Sequence, residues 1–237
     1  MACSTSCAPA ASGGTCRRLR PSRPGAPCTA ICAPYGYLRA FLRDGVWESI
    51  RHHFVVMLRE GAGREASPTA AIIDTQSVKT TESGGPRGWD AAKRLKGRKR
   101  HVAVDTNGLL LGILVHAADI QDADGLGDLL KRLKPLYVWL RAVFADSIYN
   151  RLAAWLACYL AGLVLIIVRR LPGTTGFVVQ PRRCVVERSL GWFGRWRRLS
   201  KDYEALPEVS EAMVTLATIR LMLHRLAHPN RRRLPAA

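Results

Sequence analysis

His101-Val102-Ala103-Val104-Asp105 and Leu109-Leu110-Leu111-Gly112-Ile113-Leu114-Val115-His116-Ala117 are two apolar runs separated by Thr106-Asn107-Gly108. An Asn-Gly step supplies the positive φ that a tight connection needs, so the pair reads as an antiparallel hairpin. Working outward, two more short apolar runs each end in an acid: Ala70-Ala71-Ile72-Ile73-Asp74 and Ala142-Val143-Phe144-Ala145-Asp146. Such runs predict buried strands whose last residue reaches a sheet edge. Helical patterns surround them. Trp47, Ile50, Phe54, Met57 and Leu58 recur at helical spacing over Val46 to Glu60. Asp122 or Asp124 is placed to cap a helix reaching Leu133, with Pro135 just beyond it. Further helices are predicted over Cys184 to Arg198 and Val209 to Leu226. Hairpin strands followed by strands alternating with helices imply an α/β domain: a mixed sheet covered by helices.

The chain has 237 residues, 48% of them apolar, enough for one sizeable domain with its own core. Thirty-six Lys and Arg face 18 acids, a formal net charge of +18. That imbalance points to a polyanionic partner, either nucleic acid or an anionic surface, and away from small acidic metabolites. No repeat period recurs, which excludes coiled-coil and solenoid architectures. Five of the seven cysteines (Cys3, Cys7, Cys16, Cys28, Cys32) fall in the first 34 residues, so the body is not a disulfide scaffold. That leader also holds four arginines, five prolines and no acid. It reads as a disordered linker ahead of a zinc knuckle. Residues Leu152 to Val168 carry no charge over 17 positions. The run falls short of a bilayer span and changes from Leu/Ala-rich to β-branched at Gly162, so a buried helix followed by a buried strand is expected, with no membrane contact.

In so basic a chain, acids inside apolar runs stand out. If the runs ending in Asp74 and Asp146 are neighbouring strands, two carboxylates meet at the sheet rim, an arrangement that a hard divalent cation would relieve. Glu187 is the only acid between Arg182 and Lys201. On a helix it shares a face with Arg183. Each acid also has a plainer reading, as a turn former, a cap or half of a surface ion pair. Lys93, Arg94, Lys96, Arg98, Lys99 and Arg100 put six bases in eight positions. Arg183, Arg188, Arg195, Arg197, Arg198 and Lys201 form a second basic set. Both suit phosphate binding, the first also a solvated charged loop.

Several ordered blocks resemble one family: Ile72-Ile73-Asp74-Thr75-Gln76-Ser77-Val78-Lys79, Lys96-Gly97-Arg98-Lys99-Arg100-His101, Ala117-Ala118-Asp119-Ile120-Gln121-Asp122, Phe144-Ala145-Asp146-Ser147, Val185-Val186-Glu187-Arg188 and Arg197 to Glu204. Together they are similar to bacterial insertion-sequence transposases of the DDE class, nearest the insertion-sequence-five group, from about Tyr35 to about His228. The resemblance implies a ribonuclease H-like fold, a mixed five-stranded sheet flanked by helices. It implies that Asp74, Asp146 and Glu187 form a catalytic triad holding Mg²⁺, with Mn²⁺ able to substitute. It further implies double-stranded DNA as partner (the element's terminal inverted repeats and target DNA), a homo-oligomer assembled on that DNA, and a bacterial cytoplasmic setting, nucleoid-associated when bound. The sequence departs from the family's pattern at Gln180 and Gly194, where the family often has a tyrosine and a lysine. Residues 1–34 resemble nothing in it. The expected organisation is therefore a leader over 1–34, a helical segment over 35–67 left from an N-terminal region, a catalytic domain over 68–228 and a basic tail over 229–237. A shortened, catalytically silent DNA-binding copy is the alternative expectation.

Overall fold

The computed structural model describes residues 29–82, 84–169 and 182–229. The chain divides into two compact units after Leu38. The predictions for Cys3, Cys7, Cys16, Cys28, Gln180 and Arg231 to Arg233 lie outside the described residues. Helix α1 (Thr29–Arg43) starts inside the span predicted as leader, because Ala30-Ile31-Cys32-Ala33 continues the apolar pattern into Tyr37 and Leu38. Gly45, at φ 66°, separates it from helix α2 (Val46–Glu60), which has the predicted bounds.

From Arg39 onward the fold is a sheet between two helical layers. Its strands are β1 (Ala70–Lys79), β2 (Gly88–Asp90), β3 (Leu95–Val104), β4 (Leu110–Ala117), β5 (Ala142–Asp146) and β6 (Val164–Val168). The helices are α3 (Leu126–Leu133), α4 (Leu152–Leu160), α5 (Arg183–Phe193) and α6 (Pro207–Ala227). β3 pairs antiparallel with β1 on one edge; on its other edge it pairs with β4 and, further along, with the short β2. β1 pairs parallel with β5, and β5 parallel with β6. The order β4-β3-β1-β5-β6, with the first three strands antiparallel and β5 and β6 parallel to β1, is the ribonuclease H-like arrangement expected above. The 17-residue uncharged run is a helix and a strand, α4 and β6, and among the described residues no helix is long and apolar enough to cross a membrane.

The central strands β1, β3, β4 and β5 are buried on both faces, which is why they read as continuous apolar runs. The expectation of a buried helix and strand over the uncharged run is corrected: the edge strand β6 exposes Val164 and Ile166, and α4 exposes Leu152, Leu156, Tyr159 and Leu160. Ala71, Ile73, Ala103, Val143 and Ala145 face a core shared with Leu126, Leu129, Leu130 and Leu133 of α3 and with Ala154 and Cys158 of α4. Ile72, Val102, Val104 and Phe144 face the opposite core, with Val186 and Phe193 of α5 and Val214 and Ala217 of α6. Asp74 and Asp146 follow this second parity, being two residues past Ile72 and Phe144. They therefore stand on the α5 side of the sheet.

The first basic cluster departs from expectation. Arg98, Lys99 and Arg100 are not a loop that meets phosphates: they lie inside β3, at 0%, 8% and 1% exposure. Strand alternation sends Lys99 to one core and its two neighbours to the other, and all three are consumed by buried acceptors. Arg98 donates to the carbonyls of Pro86 (2.7 Å), Glu204 (2.8 Å) and Ala205 (2.6 Å), and pairs with buried Asp202 at 3.3 Å. Arg100 donates to the carbonyl of Leu199 at 2.8 Å. Lys99 pairs with Asp122 at 2.9 Å and donates to the carbonyl of Ile120 at 2.8 Å. The two arginines thus tie the segment after α5 to the central hairpin, where planar guanidinium forks can satisfy several carbonyls at once. Lys93, Arg94 and Lys96 remain exposed, as do Arg188, Arg195, Arg197, Arg198 and Lys201.

Replacing Arg98 with alanine leaves three carbonyls and one buried carboxylate without their donor. Urea unfolding of Arg98→Ala is expected to show a loss of about 3–5 kcal/mol. The same substitution at exposed Lys96, on the same strand, should stay within about 0.5 kcal/mol of the parent.

Candidate active site

β1 and β5 are hydrogen-bonded in parallel through Ala70↔Ala142, Ala71↔Val143 and Ile72↔Phe144, and the pairing stops there. Continuing that register by two residues sets Asp74 opposite Asp146. Asp146 ends β5, but Asp74 does not end its strand as expected: β1 runs on to Lys79 against β3, so the two aspartates lie just past the point where the parallel pairing of β1 with β5 stops. Each carboxylate is oriented by the residue after it. Thr75 N–H donates to Asp74 Oδ1 at 2.8 Å. Ser147 N–H (2.5 Å) and Ser147 O–H (3.0 Å) donate to Asp146 Oδ1, where the strand turns into a short 3₁₀ segment, Ser147–Tyr149.

Burial pushes the Asp74 carboxyl above its usual range. The Thr75 hydrogen bond and the Arg183 charge oppose that rise, while the neighbouring Asp146 charge adds to it. A half-buried carboxyl with a second carboxyl beside it and too little positive charge to compensate is what a cation would relieve.

The third acid stands differently from expectation. Glu187 lies one helical turn after Arg183 on α5, on the same side of the sheet. The Arg183 guanidinium reaches both ways, 3.0 Å from Asp146 Oδ2 through Nη2 and 3.2 Å from Glu187 Oε1 through Nε. One arginine therefore bridges the glutamate and the second aspartate, and among the described residues no three His, Cys, Asp or Glu side chains gather as a metal-holding group. The expectation that all three acids meet at one point is corrected: the two aspartates adjoin, and Glu187, 43% exposed in its side chain, is turned to Arg183. Arg183, expected to contact DNA, is engaged with carboxylates here. Hard oxygen donors on adjacent strands fit a hard divalent cation such as Mg²⁺ at Asp74 and Asp146. Glu187 does not complete that set in this arrangement. Arg182 at the start of α5, with φ 71°, stacks its guanidinium 4.1 Å from the centroid of the Phe144 ring, packing the helix start against the strand that carries Asp146.

On the other face of β1, directly beneath this crevice, lies a polar group inside the core that the sequence did not announce. Thr75 pairs across the ladder with His101. Tyr149, 1% exposed, places its hydroxyl 3.4 Å from His101 Nδ1. His101 Nε2 lies 2.5 Å from His116 Nε2, and His116 Nδ1 lies 2.8 Å from the carbonyl oxygen of Ala117. A carbonyl only accepts, so His116 carries its proton on Nδ1 and accepts at Nε2. His101 then donates from Nε2 and accepts at Nδ1 from Tyr149. A second proton on His116 would set two N–H groups face to face, and burial disfavours one on His101, so both rings are neutral. Burial, then the proximity of His116, hold His101 down at about 3, and burial lowers His116 as well. Gly125 closes the cluster from above: a Cβ there would come within 2.6 Å of His101 Nε2 and 2.8 Å of His116 Nε2.

Comparison with known proteins adds the following. Residues 65–222 match the family model described as "Transposase DDE domain". No curated protein matches the sequence. Among solved structures, the catalytic core domain of BIV integrase is similar at 13% identity and TM-score 0.40, covering 69% of this chain and 99% of that one. A chain of the simian T-cell lymphotropic virus intasome in complex with PP2A regulatory subunit B56 gamma is similar at 17% identity and TM-score 0.44, covering 72% of this chain and 57% of that one.

The neutral histidines make stability depend on pH. In the unfolded chain His101 takes a proton near 6.5, and in the folded one only near 3. Between those values the unfolded state binds more protons, so this stability is complete above pH 6.5 and is lost as pH falls toward 3. Around His101 stand His116, Tyr149, Asp122, Lys99 and Lys93. Unfolding free energies from urea titrations between pH 7.5 and 4.5 should fall on the acid side by of order 1 kcal/mol per pH unit. The profile should be flatter in His101→Gln.

Proposed function

The chain belongs to the transposase DDE domain family, and from that membership we propose that it cleaves DNA at the ends of a bacterial insertion sequence and joins them to target DNA. The observation that carries this reading is the pair Asp74 and Asp146 on adjacent strands, just past the end of their parallel pairing, with Arg183 and Glu187 of α5 bordering the same crevice. Asp74 and Asp146 would hold the divalent cation, Mg²⁺ or Mn²⁺, and Glu187 would join them once released from Arg183. Bound there, divalent cations supply activation of the attacking oxygen and stabilisation of the leaving oxygen in an in-line phosphoryl transfer of the two-metal type.

The remaining work falls to the chain's own residues. Asp146 and Glu187 are kept on one side of the sheet by Arg183, whose guanidinium becomes available to a phosphate oxygen when those ion pairs loosen. Lys93, whose charge is felt at Asp74, is exposed, as are Arg94 and Lys96. Arg188, Arg195, Arg197, Arg198 and Lys201 continue the exposed basic surface that would track the DNA backbone, Arg198 while also paired with Glu204 at 2.9 Å. Water is the nucleophile for cutting and the freed 3′-hydroxyl the nucleophile for joining, so no serine or tyrosine attacks. Two copies would act together on paired element ends in the bacterial cytoplasm. A second reading, a silent DNA-binding remnant, is favoured by one feature: Arg183 already neutralises two of the three acids.

End-labelled duplex DNA bearing the element's terminal repeats separates the two. With Mg²⁺ the parent chain should nick it, and Asp74→Ala, Asp146→Ala and Glu187→Ala should each reduce cutting on the order of a thousandfold or more. Cutting that persists in any of them removes that residue from the chemistry, and no cutting by the parent supports the remnant. DNA affinity should fall steeply with salt. The slope of log K against log salt should shrink by about 0.9 for each phosphate that Lys93→Ala, Arg94→Ala or Lys96→Ala leaves without its cation.

A further inference from the structure

α4 carries no charged side chain, and a helix that is apolar on every side belongs in an interior. Its large and small residues are sorted the opposite way to those of an ordinary surface helix. Ala154, Ala157 and Cys158 pack toward the core shared with α3. Leu152, Trp155, Leu156, Tyr159 and Leu160 face away from it, at i, i+3, i+4, i+7 and i+8, and so form one continuous stripe. Leu152, Tyr159 and Leu160 are 84%, 80% and 75% exposed. Together the five side chains present roughly 600 Å² of mostly apolar surface, the upper limit of what a monomer ordinarily leaves uncovered. The stripe is also ordered at its edge, where the Trp155 indole N–H donates to Asn150 Oδ1 at 3.1 Å.

We propose that this stripe is the contact face of a homodimer, α4 of one copy packed antiparallel on α4 of a second about a twofold axis at Leu156. Three observations select a second copy as the occupant. The first is charge. Each chain carries +18, so two copies repel over most of their surfaces, and positions 152–168 are the longest uncharged stretch in the sequence. Apolar faces meet there without setting cation against cation. The second is area: two such stripes bury roughly 1,200 Å², which reaches the range of specific protein–protein interfaces. The third is self-complementarity, which an isologous contact requires. With Leu156 on the axis it meets its own counterpart, Leu152 of either copy meets Leu160 of the other, and Trp155 and Tyr159 flank them. Antiparallel packing also opposes the two helix dipoles. It sets Arg151, which donates to Gln121 in its own chain, near the carbonyl end of the other α4, where a cation is favoured. α4 lies on the α3 side of the sheet and α5 on the other, so the dimer leaves the crevice of Asp74 and Asp146 open.

The inference concerns how two copies meet and not the chemistry at the aspartates, so its test uses neither DNA nor a divalent cation. Sedimentation equilibrium of the full chain is run in high salt, which screens the repulsion between copies. The parent is expected to be dimeric at about 50 µM and to dissociate on dilution toward about 0.1 µM. Leu156→Lys and Leu156→Glu, alone, each set like charges together on the axis and should weaken association about 30-fold or more. An equimolar mixture of the two should associate again, because lysine then faces glutamate. Tyr159→Glu should also dissociate, and it reports on the same face should the Leu156 variants fold poorly. Met57→Lys, at an exposed apolar position of α2, should stay parent-like. A parent that is monomeric at every concentration overturns the dimer. Parent-like association in Leu156→Lys or Tyr159→Glu overturns α4 as its seat. Failure of the mixture to associate, with each variant dissociated alone, overturns the axis at Leu156. None of these results bears on the aspartates, whose role the cleavage assay tests separately.

Discussion

Parallel pairing of β1 with β5 carries the two aspartates together and then releases them. The ladder runs to Ile72 and Phe144, and the next residues of the same parity are Asp74 and Asp146. Up to that point backbone hydrogen bonds and apolar burial dictate the geometry. Past it β1 stays paired with β3 and β5 with β6, and side chains take over between them: the N–H groups of Thr75 and Ser147 orient the carboxylates, and Arg183 supplies the positive charge beside Asp146. Raising the Asp74 carboxyl through burial is the cost of placing an acid where water is scarce.

A second constraint acts through the basic residues. Net charge of +18 suggests a surface coated in cations, yet Arg98, Lys99 and Arg100 are interior. They meet carbonyls and carboxylates that would otherwise be stranded, joining β3 to the segment after α5 and to the segment before α3. α5 carries Arg183 and Glu187, so the buried arginines bear on the site at a distance: they hold the chain that leaves α5 against the central hairpin. Charge that counts toward DNA attraction is accordingly smaller than the composition implies, and it is concentrated at the turn before β3 and in the stretch from Arg188 to Lys201.

The sheet was legible because its central strands are buried on both sides. Ala70 to Asp74, Ala142 to Asp146 and the hairpin around Asn107-Gly108 each carry continuous apolar runs with clear stops, and the bounds of α2 followed from helical spacing alone. Arg98 to Arg100 were not legible as core, since a run of cations reads as solvent-facing until its acceptors, 12 to 107 residues away in the chain, are in place. Tyr149 carried only a faint signal, a single tyrosine in the polar turn that follows Asp146. The histidines show no metal-ligand spacing in the sequence; in the fold His101 and His116 form a directed chain of neutral hydrogen bonds.

The α/β class, the pairing of hairpin with crossover strands and the identity of the three candidate acids were determined by local sequence, because apolar periodicity and turn chemistry act over a few residues. Which acids adjoin was decided only by tertiary structure. Register brought Asp74 and Asp146 side by side, while the placement of α5 put Arg183 between Asp146 and Glu187. Electrostatic partnership depends on distances of a few ångströms between residues far apart in the chain. Those distances are set by strand register and helix placement, which no short stretch of sequence contains.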